Sequence, residues 1–80
     1  MHTINSLLNE GFECLSKNSI KSSRLESEIL LSHILNKDPK YLILNHSNIL
    51  KNDQVNSFIK LIQRRKLGEP IAYFLKKKNF

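Results

Sequence analysis

The histidines and the cysteine are the residues of this 80-residue sequence best suited to bind a metal or to act in catalysis. His2, His33 and His46 are scattered, with no two at the i, i+4 spacing that places two ligands on one face of a helix. We therefore expect no metal site. Cys14 is the single cysteine, which excludes an internal disulfide. It stands beside an apolar helical stripe, so we expect an inert, partly buried thiol.

The other residue patterns that enzymes need are also missing from the sequence. Gly11 and Gly68 are far apart, so no glycine-rich loop can hold a phosphate or a nucleotide. No serine or cysteine has a histidine at a spacing typical of nucleophilic catalysis. The sequence therefore predicts that this chain alone has no catalytic residue and binds no cofactor.

The positive charge is concentrated in the second half of the chain. Residues 1–40 hold five basic and five acidic residues, whereas residues 41–80 hold eight basic and two acidic ones, which accounts for the whole net charge of +6. A basic surface of this kind favours an acidic partner; the alternative is that the charge serves solubility alone. Lys60 and Arg64 are like charges at i, i+4, a pair that costs a helix a few tenths of a kcal/mol, so we regard both as candidate docking residues.

Apolar residues at helical spacing predict that the chain is all-α. A first helix follows Thr3 as N-cap and runs to about residue 15, with Gly11 on its buried stripe as a close packing contact. A second helix begins at a capping box formed by Ser23 and Glu26, and apolar residues from Leu25 onward cover most of its circumference.

Two further helices are indicated in the second half. Asp38 as cap and Pro39 as first residue predict a short helix that carries Leu42 and Leu44. A loop follows, with residues 49–50 as its apolar anchor. A fourth helix is then predicted, capped by Asp53, with a buried stripe of Val55, Phe58, Ile59 and Ile62.

A turn is predicted where the fourth helix ends. Gly68 suits the left-handed residue that follows a helix, and Pro70 suits the first position of a short fifth helix. We expect Arg65 to pair with Glu69 across this turn, with Tyr73 nearby. The prediction is thus a compact bundle of four to five short helices over residues 1–75, with a linker starting at residues 76–80.

Two segments resemble one family, the release factor glutamine methyltransferases, also called HemK or PrmC proteins. Residues 25–35 read LESEILLSHIL and are similar to the family's LDAELLLAHVL. Residues 64–75 read RRKLGEPIAYFL and match its RRxxGEPxAY followed by two apolar residues. In order and spacing, both segments resemble the family's N-terminal helical domain, which precedes a Rossmann-like methyltransferase domain.

The resemblance implies a recognition module for a class I peptide chain release factor. A methyltransferase domain in cis, absent from this chain, would use S-adenosylmethionine to methylate the glutamine of the factor's Gly-Gly-Gln loop. The resemblance assigns Arg65, Gly68, Glu69, Pro70 and Tyr73 to the junction between the two domains. The alternative is an independent basic module that binds RNA or the ribosome.

The sequence also indicates where the chain acts. It has neither a signal peptide nor an apolar run near the roughly 20 residues that a membrane span needs. We therefore expect a cytoplasmic monomer that does not contact a membrane.

Overall fold

The computed structural model describes residues 2–69, which form four helices. These are α1 (Ile4–Lys17), α2 (Ser23–Leu35), α3 (Pro39–Leu44) and α4 (Asn52–Lys66). The all-α prediction is confirmed, and no strand occurs between residues 2 and 69. The predicted fifth helix from Pro70, including Tyr73, and the predicted linker at residues 76–80 lie outside the described residues.

Helix α1 begins at Thr3, as predicted, and the cap is reciprocal. The Thr3 hydroxyl accepts the backbone N–H of Ser6 at 3.1 Å, and the Ser6 hydroxyl accepts that of Thr3 at 3.0 Å. The N–H groups of Ile4 and Asn5 donate to backbone carbonyls of residues 46–48, each at 2.9 Å. The free donors of the first turn are therefore satisfied, and the loop before α4 is fastened to the start of α1.

The capping box predicted for α2 is wrong. Ser22 occupies the cap position without a side-chain hydrogen bond, and Ser23 is the buried first residue of the helix. The Glu26 carboxylate binds the Arg65 guanidinium instead of the backbone. A charge-assisted bond of this kind is stronger than a neutral capping bond, which explains the preference.

The buried side of α2 is narrower than predicted, because Leu25 is exposed. Its core face combines leucines with serines, whose hydroxyls are satisfied within the helix. Ser27 Oγ donates to the Ser23 carbonyl at 2.8 Å, and Ser32 Oγ donates to the Ile29 carbonyl at 2.9 Å. Small side chains on this face let the neighbouring helices approach closely.

The core lies where α1, α2 and α4 meet. Gly11 is at this point: a Cβ there would lie 2.7 Å from Phe58 Cζ and 3.0 Å from Ser27 Oγ. The predicted packing role of Gly11 is confirmed. The buried hydrophobic residues are Ile4, Leu7, Leu15, Leu30, Leu31, Leu42, Leu50, Val55, Phe58 and Ile62.

Helix α3 starts at Pro39 after Asp38, as predicted, although the Asp38 side chain makes no capping hydrogen bond. Leu42 is buried, whereas Leu44 is exposed, so the apolar contact of this short helix is smaller than predicted. A helix of six residues cannot turn both positions toward the core, because they are two residues apart and lie on different faces.

Helix α4 begins two residues earlier than predicted, at Asn52. Lys51 is the residue before the helix, and its N–H donates to the Oε1 atom of Gln54 at 3.0 Å, so Asp53 is not the cap. Ile59, predicted in the buried stripe, is exposed at the edge of the helix, and of residues 49–50 only Leu50 is buried. No helix of residues 2–69 is long and apolar enough to cross a membrane.

Candidate docking groove and junction

The turn after α4 takes its shape from Gly68. This glycine has φ of +106°, in the left-handed region that other residues adopt at a cost. The N–H of Gly68 donates to the Arg65 carbonyl at 3.0 Å, and the N–H of Glu69 donates to the Arg64 carbonyl at 3.2 Å. The carbonyls of Arg64 and Arg65 in the last turn of the helix are thus satisfied, and the direction in which the chain leaves α4 is defined.

Arg65 fastens this turn to the start of α2. Its Nε lies 2.6 Å from Glu26 Oε1 and its Nη2 lies 3.3 Å from Glu26 Oε2. Two nitrogens of the guanidinium therefore face the two oxygens of the carboxylate. The side chains are only 21% and 15% exposed, respectively. The hydrogen bond with Glu26 raises the pKa of Arg65 above its ordinary value, against the opposing effect of desolvation. Arg65 therefore carries its positive charge in this pair.

The predicted pairing of Arg65 with the Glu69 carboxylate is wrong. That carboxylate binds Arg64, whose Nη2 and Nε lie 2.8 and 3.0 Å from Glu69 Oε1. Arg65 reaches only the backbone carbonyl of Glu69, at 3.3 Å from Nη1. The reason is that Glu26, which is distant in sequence, already accepts hydrogen bonds from Nε and Nη2 of Arg65. Both arginines nevertheless hold the residue that follows Gly68.

An open groove of about 440 Å³ lies between α2 and α4. The predicted docking residues Lys60 and Arg64 both line it. Ile34 and Leu61, which pack against the core, are its apolar residues. Within the described part of the chain, none of the groove residues is acidic. Among residues 2–69, the lining is His33, Ile34, Ser57, Lys60, Leu61 and Arg64.

The groove includes four residues that were not predicted as candidates, which are His33, Ile34, Ser57 and Leu61. The periodicity of one helix does not tell which side of another helix faces it. Glu26 was missed at the junction for a similar reason, since its partner is 39 positions away. Among the residues that the structure describes, no group of three or more His, Cys, Asp or Glu could hold a metal ion.

Comparison with known proteins places this architecture in a family. Residues 6–75 match the family described as the PrmC N-terminal domain. The chain belongs to the PrmC N-terminal domain family. The family expected from the LESEILLSHIL and RRKLGEPIAYFL segments is therefore confirmed. No solved structure matches the chain.

Relatives of this PrmC N-terminal domain are methyltransferases. A bifunctional methyltransferase of Rickettsia felis is 38% identical over 79 residues, which are 99% of this chain and 15% of that protein. A release factor glutamine methyltransferase of Aliivibrio fischeri is 31% identical over 98% of this chain and 28% of its own length. Another of that name, from Buchnera aphidicola, is 42% identical over 75% of this chain and 22% of its own length. The chain thus spans less than a third of each of these relatives.

Proposed function

We propose that this chain is the N-terminal release-factor-recognition module of a protein-glutamine methyltransferase. The substrate of that methyltransferase is the glutamine of the Gly-Gly-Gln loop in a class I peptide chain release factor. In this proposal the enzyme acts in the cytoplasm. The observation that carries the proposal is the match of residues 6–75 to the PrmC N-terminal domain, together with relatives named release factor glutamine methyltransferase.

The chemistry belongs, in this proposal, to a methyltransferase domain in cis outside these 80 residues. That domain would bind S-adenosylmethionine and position the glutamine amide. Two observations support this division. The chain covers 15% to 28% of the length of these relatives. Its sequence also lacks the residue patterns that predict a catalytic site. We expect the isolated chain to show neither binding heat with S-adenosylmethionine nor methyl transfer to a release factor.

The chain's contribution would be docking and orientation. Lys60 and Arg64, in the α2–α4 groove, would contact the release factor through positive charge that also steers its approach. Arg65, Gly68 and Glu69 would hold the junction, with Pro70 and Tyr73 continuing it toward the catalytic domain. The Arg65–Glu26 pair supports this role, because it anchors the turn to a second helix.

The test is a titration of fluorescently labelled chain against a class I release factor and against generic RNA at two salt concentrations. We expect selective release-factor binding with a moderate salt dependence. RNA binding would instead weaken steeply with salt, because each neutralised phosphate releases counterions. Tighter RNA binding at both salts, with no release-factor complex even when a methyltransferase domain of the family is joined to the chain, would refute the proposal.

A further inference from the structure

Arg64 belongs both to the docking groove and to the junction. Arg64 lines the α2–α4 groove, and two of its guanidinium nitrogens contact the Glu69 carboxylate. The two side chains are 41% and 40% exposed, so solvent and a partner can reach the pair. Exposed ion pairs are weak, which makes this carboxylate replaceable.

We propose that an acidic side chain of the release factor replaces Glu69 at Arg64 when the factor docks in the groove. This inference rests on the proposed function and adds the chemistry of the contact. The Arg64–Glu69 pair shows that this guanidinium can hold a carboxylate at hydrogen-bonding distance. Glu69 is therefore an internal competitor for the position that the release factor takes.

The remaining groove residues define what accompanies the incoming carboxylate. Lys60 lies one helical turn before Arg64 and supplies a second positive charge, which a second acidic group of the ligand would neutralise. Ile34 and Leu61 provide apolar surface next to these charges. The groove thus fits a polypeptide segment in which an acidic residue accompanies an apolar one.

These features favour a polypeptide over a nucleic acid. RNA recognition without sequence preference relies on phosphate contacts and on aromatic side chains that stack on bases. Among residues 2–69, the groove lining contains no aromatic residue other than His33 and combines its two cations with aliphatic side chains. A phosphate chain would leave that aliphatic surface uncovered, whereas an acidic segment with an apolar residue covers it.

The exchange leaves the backbone of the turn in place. The Arg65 guanidinium binds the Glu26 carboxylate and the backbone carbonyl of Glu69. Neither contact requires the Glu69 carboxylate. The Gly68 turn and its backbone hydrogen bonds are also independent of that carboxylate. The Glu69 side chain has to move while these backbone contacts stay, which keeps the cost of docking low.

Calorimetric titration of the chain with a class I release factor tests this exchange through two charge variants and their matched controls. Glu69→Gln removes the competitor and should tighten binding about twofold to fivefold, the range that an exposed ion pair spans. Glu13→Gln changes an exposed acidic residue of α1 in the same way and should leave affinity unchanged. Lys60→Glu should weaken binding by roughly tenfold, because like charges then meet across the interface. Lys21→Glu, in the turn before α2, should change it less than about twofold.

The unsubstituted chain provides a second measurement, which does not depend on any substitution. The carboxyl carbon resonance of Glu69 should shift when the release factor is added, as the carboxylate leaves Arg64, while that of Glu13 should not. Binding of the release factor with no change at Glu69, and with Glu69→Gln no tighter than Glu13→Gln, would overturn the exchange and leave the proposed function standing. Failure of the unsubstituted chain to bind the factor, with or without a methyltransferase domain, would refute the proposed function itself.

Discussion

Replacing Glu26 by glutamine should destabilise the domain through its contact with Arg65. The substitution keeps the size of the side chain but removes the negative charge that faces the guanidinium at 2.6 and 3.3 Å. Hydrogen bonds to charged groups contribute about 1.5 to 3 kcal/mol each. One of the two is long, and the amide still accepts one bond, so we expect a loss of about 1 to 2 kcal/mol in the free energy of unfolding.

A matched control lies on the same helix. Glu28 faces Arg24 at 3.7 Å, and the Arg24 side chain is 82% exposed. Surface pairs of this kind contribute about 0 to 1 kcal/mol, so Glu28→Gln should cost less than about 0.5 kcal/mol. Urea unfolding followed by circular dichroism measures both variants.

A double-mutant cycle with Arg65→Met isolates the pair from other effects of the charge. Glu26 also lies in the first turn of α2, where a carboxylate is stabilised by the helix dipole by about 0.3 to 1 kcal/mol. The dipole contribution persists when Arg65 is replaced, whereas the pair contribution disappears. A coupling energy near zero, or an equal loss in Glu26→Gln and Glu28→Gln, would refute the anchoring role of Arg65.

Three further substitutions, the first with a control variant, test the fold by the same unfolding assay. Leu31→Ala should cost about 2 to 5 kcal/mol because Leu31 is fully buried, whereas the exposed Leu25→Ala should cost far less, and equal losses would contradict the assignment of the core. Gly11→Ala should destabilise by roughly 1 kcal/mol or more, because its Cβ would lie 2.7 Å from Phe58 Cζ and this overlap outweighs the gain in helix propensity; a stabilised variant would contradict the packing. Gly68→Ala has open space around its Cβ, so a loss of about 1 kcal/mol would come from its φ of +106° alone, and no loss would mean that the turn relaxes.

Local signals in the sequence located the helices well. Thr3 and Pro39 mark helix starts because a cap hydrogen bond or a fixed φ acts within a few residues. The close contact at Gly11 followed from a glycine on an apolar stripe. These features depend on neighbours along the chain, which is why a pattern of residue types was sufficient to predict them.

Contacts between distant residues were harder to predict. The Ser23–Glu26 box failed because Arg65 competes for the carboxylate. The carboxylate partner of Arg65 was misassigned because its position around α4 relative to Glu26 depends on packing against α2. Lys60 and Arg64 were correctly placed on one face by their spacing. That α2 supplies the opposite wall of their groove required the three-dimensional structure.

The central claim, that the α2–α4 groove of this domain receives a release factor, is tested most directly by mapping amide resonances of the isotope-labelled chain during titration with a class I release factor. The account predicts that Ser57, Lys60 and Leu61 shift, while Glu13 and Ser16 on the exposed side of α1 do not. Absence of shifts in the groove at saturating release factor, or shifts there with RNA but not with the factor, would contradict it.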